Sequence, residues 1–343
     1  MRRLQVLRGI GALVGLIILL LFLDGVLASN ARGQGQCPGH TIRWIGQFSS
    51  PQDFKGEPGF GEKLLNWILG EDRQTLVHPI SVFSQDSTHF WVLDQGSYSP
   101  LFVNKENGEG RFLELEDGGS FPSLVGICGK EQEGILFTDS RKNKIYEYKF
   151  YTKYPHVFNR SVELERPTGI AFDEEMKRIW VVETGAHRVS ILNEDGDLVK
   201  RIGTRGTGPG EFNFPTFISI NGSGLVYIVD AMNFRIQVFN NNGKYLSSFG
   251  EPGDASGYFA SCKGIATDTH GNIYVVDGLF HTVQIFDREG RFLYNFGKQG
   301  HGKGEFWLPS GIFVDRDDRI YVADSYNARV QIFQLVHEGA DEK

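Results

Sequence analysis

Six carboxylates recur at nearly even intervals along the chain: Asp94, Asp139, Glu183, Asp230, Asp277 and Asp324, spaced 45, 44, 47, 47 and 47 residues apart. Carboxylates are the commonest acid–base and hard-cation groups, so such a series first raises the question of catalysis. Each one, however, closes a run of β-branched and aromatic residues: FWVLD, ILFTD, IWVVE, VYIVD, IYVVD and IYVAD. In four units a basic residue follows five positions later, Lys144, Arg188, Arg235 or Arg329. A carboxylate ending one strand and a cation opening the next can pair across the connecting turn. Glu183–Arg188, Asp230–Arg235 and Asp324–Arg329 therefore read as structural ion pairs repeated with the unit, not as a catalytic set. Thr282 and Ser99 break the rule in the fifth and first units.

Other chemistry-bearing residues are sparse. His187 and His281 hold the same repeat position two units apart, which is too far for a shared metal. Gly297–Lys303 spells the opening of a phosphate-binding loop, but Gly304 stands where a magnesium-binding Ser or Thr belongs, and no helix follows. Cys37, Cys128 and Cys262 show neither CxxC spacing nor histidines at ligand spacing, so they read as buried thiols, with a disulfide as the minor alternative. No metal centre and no cofactor is expected.

The elements that carry these residues are strands. The 27 Phe and 43 Gly against three Met favour strands and tight turns over helices. The fourth unit shows the pattern: FPTFISI (214–220), LVYIVD (225–230), RIQVFN (235–240) and KYLSSFG (244–250), with Asn-Gly turns between strands. Four short antiparallel strands with a period in the mid-forties make a propeller blade. The fold class is all-β: a six-bladed β-propeller of four-stranded antiparallel blades. The last unit ends at RVQIFQL (329–335) without its fourth strand, and TIRWIGQF (41–48) resembles RFLYNFG (291–297), a fourth strand. The N-terminal segment is thus expected to complete the last blade.

The domain plan follows: a signal peptide or signal anchor at 1–28, a linker at 29–40, the propeller at 41–336, and a polar tail at 337–343. An insertion at 49–78 contains Glu62–Leu69 (EKLLNWIL), expected as a short helix packed on the ring. Arg2, Arg3 and Arg8 precede an uncharged run from Gly9 to Leu23, which is long enough for a signal-peptide core and short for a full span. The body is expected outside the cytoplasm, periplasmic or extracellular, tethered to the membrane by this segment if it is uncleaved. The formal charge of −7 becomes −10 once the four Arg and one Asp of residues 1–40 are set aside. Such an acidic body argues against nucleic acid as a partner.

The third to sixth units resemble NHL repeats. The pattern Val-x-Asp, then Asn, Arg, Ile or Val, Gln and Phe appears as IVDAMNFRIQVF and VADSYNARVQIF, and the connectors GTRGTGPGEFNFP (203–215) and GKQGHGKGEFWLP (297–309) match the family's Gly-rich link. The resemblance covers about 165–335 strongly and about 79–165 weakly, and it implies the same six-bladed ring. It also brings in enzymes. The lyase that releases amidated peptides needs three zinc-binding histidines, each after a proline opening an inner strand. Here those places read Pro167-Thr168, Pro215-Thr216, Pro309-Ser310, Cys262-Lys263, Pro79-Ile80 and Pro122-Ser123, with no histidine. Calcium-dependent lactonase propellers use inward carboxylates, and the inner strands ISVF, LVGIC, GIAF, FISI, GIAT and GIFV carry none.

The expected site is the face of the connectors and of the turns between second and third strands. Thr168, Thr216, Lys263 and Ser310 are placed at the channel mouth, with His187 and His281 further out. The leading functional expectation is a non-catalytic scaffold that binds a protein, peptide or glycan on that face. The alternative is a metal-dependent propeller hydrolase or lyase.

Overall fold

A computed structural model describes residues 40–55, 74–131 and 133–337. The N-terminal segment, Cys37, the expected helix at Glu62–Leu69 and the tail beyond His337 lie outside the described residues. Among the described residues no helix is long and apolar enough to cross a membrane.

The strands assemble into six four-stranded antiparallel sheets. The first blade is β2 (Pro79–Ser84) to β5 (Glu109–Phe112), the second β6 (Leu124–Lys130) to β9 (His156–Val157), and the third β10 (Pro167–Asp173) to β13 (Leu198–Ile202). The fourth runs from β14 (Pro215–Ile220) to β17 (Tyr245–Phe249), and the fifth from β18 (Cys262–Thr267) to β21 (Phe292–Phe296). The sixth has the order β1-β24-β23-β22: β22 (Ile312–Val314), β23 (Arg319–Asp324) and β24 (Arg329–His337) take the N-terminal β1 (His40–Phe48) as their outer strand. The N-terminal strand thus closes the ring. Antiparallel pairing to β24 removes the free edge that an incomplete blade would expose.

The second strand of every blade is buried along most or all of its length, as in β11 (Arg178–Glu183) and β15 (Leu225–Asp230). These strands read as continuous apolar runs, not alternating ones, because a neighbouring blade covers each face. The core is accordingly divided. Six hydrophobic clusters lie between successive blades, for example Trp180, Phe212 and Ile228 between the third and fourth. Burial on this scale, at about 25 cal/mol per Å² of apolar surface, is the main attraction between blades.

Near the axis the inner strands come within backbone contact. A register shift recurs in the inner strands, as at Pro167/Ile170, Pro215/Ile218 and Cys262/Ile265. A glycine stands at the matching position in four blades. A Cβ on Gly126 would lie 2.3 Å from the Thr168 carbonyl oxygen, on Gly169 2.6 Å from that of Thr216, and on Gly311 2.5 Å from that of Ile80. These contacts are with backbone of the next blade, which cannot move aside alone.

Gly311→Ala is expected to cost at least the roughly 1–3 kcal/mol of an overpacked core. Gly222→Ala, where an added methyl group meets nothing within 4 Å, should stay within about 0.5 kcal/mol. Thermal midpoints of the two variants provide the comparison, and equal loss would contradict the close-contact account.

Candidate functional site

The six carboxylates are fully buried. Asp230 shows what holds them. One of its oxygens accepts from the Asn213 backbone N–H at 2.7 Å. The other accepts from Arg235 Nε at 2.9 Å, Asn233 Nδ2 at 2.8 Å and Gln237 Nε2 at 3.1 Å. Arg235 also donates to the Gly208 and Glu211 carbonyls, and Gln237 accepts from Gly210 N–H. The Asp-Asn-Arg-Gln pattern therefore works as one clamp, tying the second strand, the turn, the third strand and the Gly-rich connector together. Asp324 repeats it with Trp307 N–H at 2.7 Å, Asn327 at 2.8 Å, Arg329 at 2.8 Å and Gln331 at 3.1 Å. In the third blade Glu183 takes Arg188 through two bonds of 2.8 Å, and Ser190 at 2.5 Å.

In five blades one carboxylate oxygen caps a connector N–H seventeen or eighteen residues upstream: Val77, Glu165, Asn213, Ala260 or Trp307. The second blade departs from this. Seventeen residues before Asp139 stands Pro122, which has no N–H, and Asp139 Oδ2 is buried without a partner. Lys144 forms no ion pair with it among the described residues. The register also moves the inner-strand start there: Leu124 pairs with Asp139, as Pro167 does with Glu183, so Leu124-Val125 replaces Pro122-Ser123 as the channel position.

At the channel mouth the second inner-strand positions are Ile80, Val125, Thr168, Thr216, Lys263 and Ser310. Thr168 Oγ1 lies 2.7 Å from Thr184 Oγ1 and donates to the Thr216 carbonyl at 2.8 Å. The Ser310 carbonyl accepts from Gly264 N–H at 2.9 Å. Thr216 Oγ1 is buried with no partner. Lys263 alone of the set is exposed. Among the described residues no three His, Cys, Asp or Glu converge as metal ligands.

His187 and His281 stand apart from each other and from the mouth residues, and each has a bonding role. Both occupy left-handed turn positions, at φ of 53° and 54°. The Nδ1 of His187 accepts from Phe214 N–H at 3.1 Å, and that of His281 from Leu308 N–H at 2.9 Å. Each ring therefore carries its proton on Nε2 and fastens one blade to the next blade's connector. Asn143 does the same to Arg166. Cys128 and Cys262, the cysteines among the described residues, are free thiols. Burial pushes Cys128 up to about 12 against the opposing pull of Lys130, and burial with the nearby Asp277 raises Cys262 further.

An apolar rim on this face has no motif in the sequence. Eight of the thirteen exposed large hydrophobic residues among the described residues lie in its loops: Val77, Tyr98, Phe214, Met232, Tyr258, Leu279, Trp307 and Tyr326. Tyr326 is 62% exposed and Leu279 59%. They occupy the first and the fourth to sixth blades, whereas exposed Arg141, Glu165 and Arg166 hold the matching loops around the second and third. The rim is ordered: the Tyr326 ring packs on His78 with centroids 5.0 Å apart, and the Tyr326 backbone N–H donates to the Trp307 carbonyl. Its sequence signal is positional, two residues after the repeated acid (Met232, Leu279, Tyr326) or just ahead of the inner strand.

The comparisons with known proteins agree on architecture. A family model described as a 6-bladed beta-propeller matches residues 158–246 and 266–338. No curated protein matches the chain. Among solved structures, the chain is similar to virginiamycin B lyase from Staphylococcus aureus, with a TM-score of 0.58 at 14% identity over 87% of this chain and 100% of that one. It is also similar to an auxiliary nutrient binding protein from Bacteroides thetaiotaomicron, with a TM-score of 0.62 at 12% identity over 76% and 70%. A second such protein, from Bacteroides ovatus, gives 0.61 at 12% over 88% and 77%. Identities this low speak for a shared fold only.

The Glu183 clamp makes a pH prediction. Burial opposes its charge, but the bonds from Arg188, Ser190 and Glu165 N–H outweigh burial and set its pKa below the ordinary 4.5. A depressed carboxylate adds stability above that ordinary value and loses it as pH falls through the folded one. Glu183→Gln should cost about 1–3 kcal/mol at neutral pH, discounted from a fully buried pair because Arg188 is partly exposed. The gap from the parent should shrink below pH 4.5, and urea midpoints across that range test it.

Proposed function

We propose that this chain is an exported, NHL-type propeller that binds a ligand on the connector face and has no chemistry of its own. The observation that carries the reading is the concentration of exposed apolar side chains on that face, held by clamped loops. Exposed apolar side chains gathered on one face of a scaffold mark a surface with a use, and loops on one face of a rigid scaffold are the usual place for recognition. The repeated carboxylates are engaged in clamps, apart from one idle oxygen of Asp139. The second inner-strand positions carry neither the histidines nor the acids of a propeller metal site.

Two of the structural neighbours bear names of nutrient-binding proteins, which favours binding over turnover for this chain as well. The lyase neighbour keeps a hydrolase or lyase as the competing reading. Export rests on Arg2, Arg3 and Arg8 ahead of the Gly9–Leu23 run, with the body periplasmic or extracellular and the same segment as its membrane tether if retained.

Position-specific photo-cross-linking tests the reading. A photoreactive residue at Trp307 in the full-length chain should yield adducts in the exporting cell's envelope, and the same residue at Asn242, in an exposed turn on the opposite face, should yield none. Adducts from Asn242 alone would overturn the choice of face.

A further inference from the structure

A cavity of about 150 Å³ opens where the ring closes, on the face opposite the connectors. Its walls come from both ends of the propeller: β1, β23 and β24 of the sixth blade, and β3 (His89–Asp94) with the turn that carries Lys105 in the first. β1 is bulged at this point. Trp44 pairs with Phe333 and Gly46 with Ile332, so Ile45 is the extra residue and is 43% exposed. A Cβ on Gly46, in the cavity wall, would meet nothing within 4 Å. The closing strand therefore leaves this space open.

The base of the cavity is apolar. Phe90, Tyr321 and Ile332 line it and are buried, and the Phe54 ring stacks on Phe90 with centroids 6.1 Å apart. The rim is basic: exposed Lys105 and half-buried Arg319 line it, and among the described residues no carboxylate does. Arg319 Nη1 is engaged by Asp317 at 3.1 Å and by Asp315 at 3.6 Å. Asp86, next to the lining Ser87, is taken up by His89 and Thr88. Lys105 has no carboxylate partner among the described residues. One uncommitted cation thus stands over apolar walls whose volume suits a single six-membered ring. A phosphate or a sugar would leave the apolar base unfilled, and a lipid chain would exceed the volume.

We propose that this cavity is a binding site for a small aromatic carboxylate, its ring against Phe90, Tyr321 and Ile332 and its carboxylate at Lys105. The site is separate from the connector face and does not depend on it. Its walls come together only when β1 has joined the sixth blade beside the first. A ligand here binds the closed ring alone and stabilises the closure.

The test is fluorine NMR titration of the full-length chain with para-fluorobenzoate and with the neutral para-fluorobenzamide, and hydrogen exchange of the β1 amides with and without the acid. The acid should bind roughly three- to tenfold more tightly than the amide. Lys105→Gln should remove that advantage, and Lys105→Arg should keep most of it. Gly46→Val, which puts methyl groups into the cavity, should abolish binding of both ligands without lowering the thermal midpoint. Saturation with the acid should slow exchange in β1 more than in β17 of the fourth blade. Binding that Gly46→Val leaves intact, with no change in β1 exchange, overturns the site. Equal affinity for acid and amide overturns Lys105 as the anchor, and absence of binding by either overturns the whole proposal.

Discussion

A carboxylate buried at the end of each second strand is the point on which the ring depends. Charge in a dry interior is tolerated only when its oxygens are met by donors, and here the donors come from three different segments of the same blade, the connector, the turn and the third strand. Asp230 and Asp324 each collect a backbone N–H from the connector, an amide and a guanidinium from the turn and third strand, and a glutamine beyond it. The arginine and glutamine pass the constraint on to the connector's carbonyls. The Gly-rich loop, which also buries one Phe between blades (Phe212 or Phe306), is thereby held in one conformation. The rim residues ride on those loops, so the clamp is also what fixes the candidate binding face.

The blades that depart from the pattern show what it does. Proline at 122 removes the N–H that one oxygen of Asp139 would meet, and that oxygen stays idle. The same blade has an inner strand starting two residues later than its prolines suggest, and a two-residue outer strand, β9. In the fifth blade Thr282 replaces the arginine, and its hydroxyl bonds the Phe296 carbonyl instead. Gln284 retains the connector contact to Tyr258. Loss of one member thus loosens the clamp without dissolving the blade, because interblade burial continues on both sides of the sheet.

Much of this was legible in the sequence because it is periodic. The spacing of six acids gives the blade count, the apolar runs give second strands covered on both faces, and the missing last strand points to closure by 41–48. Residues whose role depends on the neighbouring blade were harder to read. His187 and His281 look like surface ligands until their Nδ1 atoms are seen capping the next connector. The glycines at 126, 169, 264 and 311 look like strand breakers until backbone approach at the axis explains them. The apolar rim has no motif, since Met232, Leu279 and Tyr326 share only a position and exposure.

The measurement that bears most directly on this account is the paired stability of Asp324→Asn and Asp139→Asn in the full-length chain. Asparagine at 324 would place an N–H₂ against donors that now converge on a carboxylate and leave Arg329 without its counter-ion, a loss of about 3–5 kcal/mol. At 139 the idle oxygen has no donor to repel, and the loss should stay near 1 kcal/mol or below. A clearly larger loss at 324 is the predicted result. Equal losses at the two sites would contradict the clamp as the interaction that orders the connector face.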